Sequence, residues 1–97
     1  MIDYLLYTEE QIESELKDLI LWNRVGDSII RELVASNFVA SIGIVNAVAI
    51  LAESFDHHPD ILIYGWNKVQ IKLYTHSAGG LTQKDFQLAR KIDELGY

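Results

Sequence analysis

Between Glu53 and Asp60 the chain reads Glu-Ser-Phe-Asp-His-His-Pro-Asp, which places two of its three histidines side by side; the third is His76. Imidazole, with a pKa near ~6.5, is the side chain best suited to give and take protons at neutral pH. Glu53 and His57 are four apart, so a helix continuing to His57 would set them on one face as a carboxylate–imidazole pair. Pro59 disfavours helical geometry at the residue before it, which lets His58 turn independently toward the same pocket. The bland alternative is structural: histidines suit the negative end of a helix dipole, and proline after a helix is an ordinary stop. Three histidines also suggest catalytic zinc, but adjacent histidines rarely supply two ligands as the i, i+4 spacing does. A zinc site is therefore not expected. Asp85 reads as a capping residue sooner than a catalyst, and Tyr64, Trp66 and Tyr74 as core or interface aromatics.

Those side chains need positioning elements. Thr8-Glu9-Glu10-Gln11 is a capping box that opens a first helix, with Ile12, Leu16 and Leu19 as its apolar stripe and the acidic residues as its solvated face. Leu21–Val25 and Ser28–Val34 flank Gly26-Asp27 and read as an antiparallel hairpin. Ser36 or Asn37 caps a helix running from Phe38 to Phe55, with Phe38, Ile42, Val45, Ala49 and Ala52 marking one face. That helix is apolar nearly all round, so it needs cover on more than one side, and a second copy of the chain is the expected cover. Ile61–Trp66 reads as a third strand, Asn67-Lys68 as its turn, and Val69–His76 as a fourth strand with Val69, Ile71 and Leu73 on the inward face. The hairpin returns His76 to the neighbourhood of Pro59. Ser77–Gly80 reads as a loop. Thr82 and Asp85 form a second capping box, stapled by Leu81 and Phe86, for a last helix that buries Phe86, Leu88, Ala89, Ile92 and Leu95 and ends at Gly96.

The order α-β-β-α-β-β-α predicts an α+β domain of two layers: a four-stranded antiparallel sheet with three helices packed on one face. Ninety-seven residues, about half of them hydrophobic, suit a single domain over residues 1–97. A net charge of −6 without a Lys/Arg cluster disfavours direct nucleic-acid binding. The absence of cysteine excludes thiolate chemistry and disulfides, and the cytoplasm is the expected compartment. Met1–Tyr7 is apolar without a basic leader and reads as an ordered or docked arm, not a signal peptide. The apolar run Phe38–Ala52 falls short of a membrane span and reads as a buried helix.

Glu53-x3-His57-His58-Pro59, then Trp66 followed by Asn67-Lys68-Val69, then Thr75-His76, then Asp85 after Leu81-Thr82, resembles the signature of the pterin-4a-carbinolamine dehydratases. The likeness is close in the second half of the chain and looser in the first. One residue more than the commonest spacing separates Pro59 from Trp66. The resemblance implies removal of water from a 4a-hydroxytetrahydropterin to give the quinonoid dihydropterin, in support of tetrahydropterin recycling, by a homodimer or homotetramer with no metal and no bound cofactor. It implies His57, His58 and His76 as the catalytic residues. Glu53, Asp56, Thr75 and Asp85 would help to hold the substrate. The competing reading is an oligomeric binding module that stabilises or assembles a partner protein; retention of all three histidines favours the enzyme.

Overall fold

Residues 5–97 are described by a computed structural model, so the first four residues of the expected N-terminal arm lie outside the described residues. The elements follow in the expected order: α1 (Glu9–Leu16), β1 (Asn23–Val25), β2 (Ser28–Val34), α2 (Phe38–Phe55), β3 (Asp60–Tyr64), β4 (Lys68–Leu73) and α3 (Gln83–Asp93). All pairings are antiparallel in the sheet order β1-β2-β4-β3. Register places Ile29, Arg31 and Leu33 of β2 beside Leu73, Ile71 and Val69 of β4, and these six side chains are buried. The helices cover this face, while Glu32, Val34, Leu62 and Tyr64 on the other face are exposed. The fold is therefore α+β with one covered sheet face.

Local chemistry explains the element boundaries. Thr8 accepts from the Gln11 N–H and Gln11 Oε1 accepts from the Thr8 N–H, so two of the donors left open at the start of α1 are satisfied reciprocally. Asn37, not Ser36, caps α2 by accepting from Ala40 N–H at 2.8 Å. Thr82 and Asp85 form the capping box of α3. Gly26, at φ +59°, makes the tight β1–β2 turn that needs positive φ. The N-terminal arm docks where described: the Tyr7 N–H donates to the Leu81 carbonyl at 2.9 Å, and its ring stacks on fully buried Phe86 at 5.4 Å.

Several expected boundaries shift. The β3–β4 turn is Gly65-Trp66-Asn67 and not Asn67-Lys68; Gly65 and Trp66 both take positive φ, and Tyr64 pairs with Lys68. Trp66 thus leaves the strand and is exposed rather than core. Trp22 drops out of β1 because its indole is drawn into the core, where Nε1 donates to Asp93 Oδ1 at 3.0 Å. The same carboxylate accepts from the buried guanidinium of Arg31 at 2.7 Å, which also donates to the Tyr97 carbonyl. The last helix ends at Asp93, not Gly96, and Leu95 lies outside the core at 37% exposure.

The largest shift concerns α2. Its buried stripe is Ser41, Ile44, Val48 and Ala52, whereas Phe38, Ile42 and Ala49 of the expected face are exposed. A helix apolar on every side carries no amphipathic signal to say which face meets the sheet. Phe38, Val39, Ile42 and Ile50 form an outward apolar surface, so α2 is half-buried and not the fully buried helix expected. At 18 residues it is also long and apolar enough, by length and composition alone, to cross a membrane; here it packs on α3 and β4.

Candidate active site

The C-terminal end of α2 sets the first part of the site. Asp56 takes a left-handed conformation (φ 48°, ψ 44°), and the chain closes with the Asp56 N–H on the Glu53 carbonyl and the His57 N–H on the Ala52 carbonyl. This is the turn that ordinarily uses glycine to satisfy the last carbonyls of a helix. The helix therefore stops before His57, and Pro59 is not what stops it. The i, i+4 geometry expected for Glu53 and His57 is absent. Glu53 Oε1 instead meets His58 Nε2 at 2.7 Å in an exposed pair.

His57 turns inward to a different carboxylate. Its Nε2 lies 2.6 Å from Asp85 Oδ1, with the imidazole about nine-tenths buried and Asp85 fully so. The second Asp85 oxygen accepts from Thr75 Oγ1 at 2.7 Å and from the Thr82 N–H at 2.9 Å, and the two threonine hydroxyls meet at 2.8 Å. Among the described residues no side-chain nitrogen or oxygen that is itself buried in this cluster lacks a partner, as burial in low dielectric demands. Asp85 is thus both helix cap and histidine partner. It stands behind His57 and has no surface on the cleft, so the expected direct contact with substrate does not fit its position.

The third part arrives from β4. The strand ends at Leu73 rather than His76; Tyr74–His76 run on as loop, and Thr75 makes a single bridge to Gly80. Pairing of Asp60 with Lys72 carries the residues after Lys72 past the start of β3, alongside Asp56–Pro59. His76 is exposed, with Tyr74 edge-on to its ring at 4.6 Å.

These three parts enclose a cleft of about 290 Å³ lined by Asp56, His57, His58, Tyr74, Thr75, His76, Ser77 and Lys84. All three histidines thus share one cleft, along with Asp56 and Thr75, as the hairpin topology predicts. Glu53 stands outside its lining and reaches it only through His58. A larger hollow of about 410 Å³ lies between the end of β2 and the start of α2. It holds no histidine, and its Arg31 is already engaged by Asp93 and Tyr97. The smaller cleft is the chemically equipped one. Among the described residues no group of three His, Asp or Glu is arranged as a set of metal ligands.

Sequence reasoning missed Lys84, Ser77 and the cleft position of Tyr74. Lys84 Nζ donates to the Asp56 carbonyl at 3.0 Å, tying α3 to the end of α2. A signal was present: a cation in the first turn of a helix opposes the helix dipole and needs another reason to be there.

A four-stranded antiparallel sheet backed by helices, with one cleft lined by three imidazoles, defines a small α+β fold. The profile of the family described as Pterin 4 alpha carbinolamine dehydratase matches residues 6–95. The chain belongs to that family. It is 52% identical over 90 residues to a Nocardia farcinica protein, covering 93% of this chain and 94% of the relative. A Roseiflexus protein is 49% identical over 88 residues, covering 91% and 94%. Both relatives are named provisionally as pterin-4-alpha-carbinolamine dehydratases. Among solved structures, a transcriptional coactivator/pterin dehydratase from Brucella melitensis superposes with a TM-score of 0.87 at 31% identity, covering 94% of this chain and 98% of that one. A pterin dehydratase-like protein described as a RuBisCO assembly factor in the alpha-carboxysome shares the fold, with a TM-score of 0.60 at 20% identity over 76% of this chain and 84% of that one.

Proposed function

We propose that this chain, acting as a single domain, dehydrates a 4a-hydroxytetrahydropterin to the quinonoid dihydropterin by histidine general acid/base catalysis. The observation that carries the reading is the convergence of His57, His58 and His76 on one polar cleft in a member of this family. In the reaction the bond between C4a and its hydroxyl breaks, and the oxygen leaves as water with a proton taken from an acid. A base removes the proton of the adjacent ring nitrogen, whose electrons form the new C=N bond. One acid and one base of near-neutral pKa suffice. His58 and His76, both exposed, are the candidates for proton donor because solvent can reprotonate them; His57 takes the binding or proton-abstracting role. Asp56 and Thr75 line the same cleft and are the residues proposed to hold the ring.

The outward apolar face of α2 supports assembly of copies into a dimer or tetramer, and the absence of cysteine is what favours the cytoplasm as its place. The same face favours a second reading, that the chain works through contacts with a partner protein, which is how the carboxysome relative is described. The two roles are compatible. Stopped-flow measurement of 4a-hydroxytetrahydropterin dehydration separates them. Wild type is expected to accelerate the reaction, and His58→Ala and His76→Ala to lose a factor on the order of 10² wherever the missing ring transfers a proton. Wild type without acceleration would leave only the binding role.

A further inference from the structure

We infer that Asp85 is a positioning residue that fixes the tautomer of His57, holding the proton on Nε2 and presenting Nδ1 to the cleft as a lone pair. The inference deepens the dehydratase reading, and its kinetic arm rests on that reading. The direction of each hydrogen bond in the buried cluster follows from donor counting. The Thr82 N–H can only donate, and it donates to Asp85 Oδ2. Thr75 gives its one hydroxyl proton to the same oxygen. The proton between the two threonines must therefore come from Thr82, whose oxygen accepts in turn from the Lys84 N–H at 3.3 Å. Oδ2 is filled by two donors, which leaves Oδ1 to His57 Nε2 at 2.6 Å. An ionised carboxylate only accepts, so Nε2 carries the hydrogen. Nδ1 of His57 has no partner among the described residues, yet none of their buried side-chain nitrogens or oxygens is left unsatisfied. Nδ1 therefore reaches the cleft that His57 lines.

Asp85→Asn turns this arrangement over while keeping the shape. A carboxamide has one oxygen and one NH₂. The backbone donor Thr82 N–H requires the oxygen at the Oδ2 place, which turns the NH₂ toward His57. Nε2 must then be the lone pair, and the ring proton moves to Nδ1, which faces the substrate with a donor where an acceptor stood. The partner of a catalytic imidazole matters in this way elsewhere: loss of the orienting carboxylate in a serine-protease triad costs ~10⁴ in kcat through the wrong tautomer.

The test is a long-range ¹H–¹⁵N correlation spectrum of the imidazoles of the intact protein at about pH 9, where histidines of ordinary pKa are neutral. His57, assigned by its loss in His57→Gln, is expected to show the proton on Nε2 in wild type and on Nδ1 in Asp85→Asn. In the dehydration assay Asp85→Asn is expected to lose a factor on the order of 10² in kcat with KM within about threefold of wild type, because Asp85 has no surface on the cleft. A wild-type ring protonated on Nδ1 overturns the inference, whether or not the variant folds. An Asp85→Asn protein that folds and keeps the wild-type tautomer overturns it as well. If wild type dehydrates nothing, the proposed function fails, while the spectra still decide the positioning role.

Discussion

Two of the histidines of the cleft each meet a carboxylate at nearly the same distance, 2.6 Å for His57 with Asp85 and 2.7 Å for His58 with Glu53, but their surroundings separate them. The Asp85 side chain is fully buried, whereas that of Glu53 is 79% exposed and that of His58 60%. Water and salt screen the outer pair, and exposed ion pairs contribute little. Glu53→Gln is accordingly expected to change kcat for dehydration by less than about fivefold. Steady-state kinetics beside the Asp85→Asn variant checks this; a loss on the order of 10² in Glu53→Gln would give the outer pair a catalytic share. The residue types of the site were legible in the sequence, since a His-His-Pro triplet with a third histidine on the return strand is a visible pattern. Their pairing was not. Glu53 matched His57 by helical spacing, and that match required a helix turn the chain does not form.

At the scale of elements, the decisive feature is the end of α2. Asp56 in the left-handed region carries a steric cost that glycine avoids, and aspartate tolerates it better than most residues. Asp56→Gly is expected to leave stability unchanged or slightly raised, and Asp56→Val to cost roughly 1–2 kcal/mol, because a β-branched side chain crowds that backbone. Urea unfolding of the two variants provides the measurement; equal stability would show that the left-handed turn is not retained in solution. The same turn redirects His57 from the helix surface to the base of α3, where the capping carboxylate of Asp85 receives it. Sequence reasoning found the capping box that opens α3 and ended α2 near the right residue. It credited Pro59 with the stop because proline is conspicuous, whereas an aspartate at positive φ leaves little trace in a sequence.

At the scale of the molecule, one helix has two apolar faces and, among the described residues, only one of them is covered. Ser41, Ile44, Val48 and Ala52 meet the core, while Val39 and Ile50 are 78% and 70% exposed. Ile50→Glu is expected to keep the thermal stability of the folded chain within the small range of surface substitutions, about 0.5 kcal/mol, where that chain stands alone. It is expected to shift sedimentation from oligomer to monomer, since a charge at a desolvated interface without a partner is costly. A wild type that sediments as a monomer would remove the proposed assembly. The other long-range tie runs through Arg31, Asp93 and Trp22, which joins β2, the end of α3 and the segment before β1. It was invisible in the sequence: an arginine in a strand reads as solvent-facing until the register sets it opposite Ile71 on the covered face.

The sequence by itself determined the element order, the helix starts, the inward residues of β4 and the three imidazoles that meet. Caps, turns and strict alternation are short-range chemistry, written in residues a few positions apart. Tertiary structure alone decided which carboxylate holds which histidine, which face of α2 is buried and where Arg31 points. The inner pairing and the place of Arg31 depend on contacts between residues far apart in the chain, His57 with Asp85 at 28 positions and Arg31 with Asp93 at 62, and no local pattern encodes which of several compatible partners the packed core brings within reach.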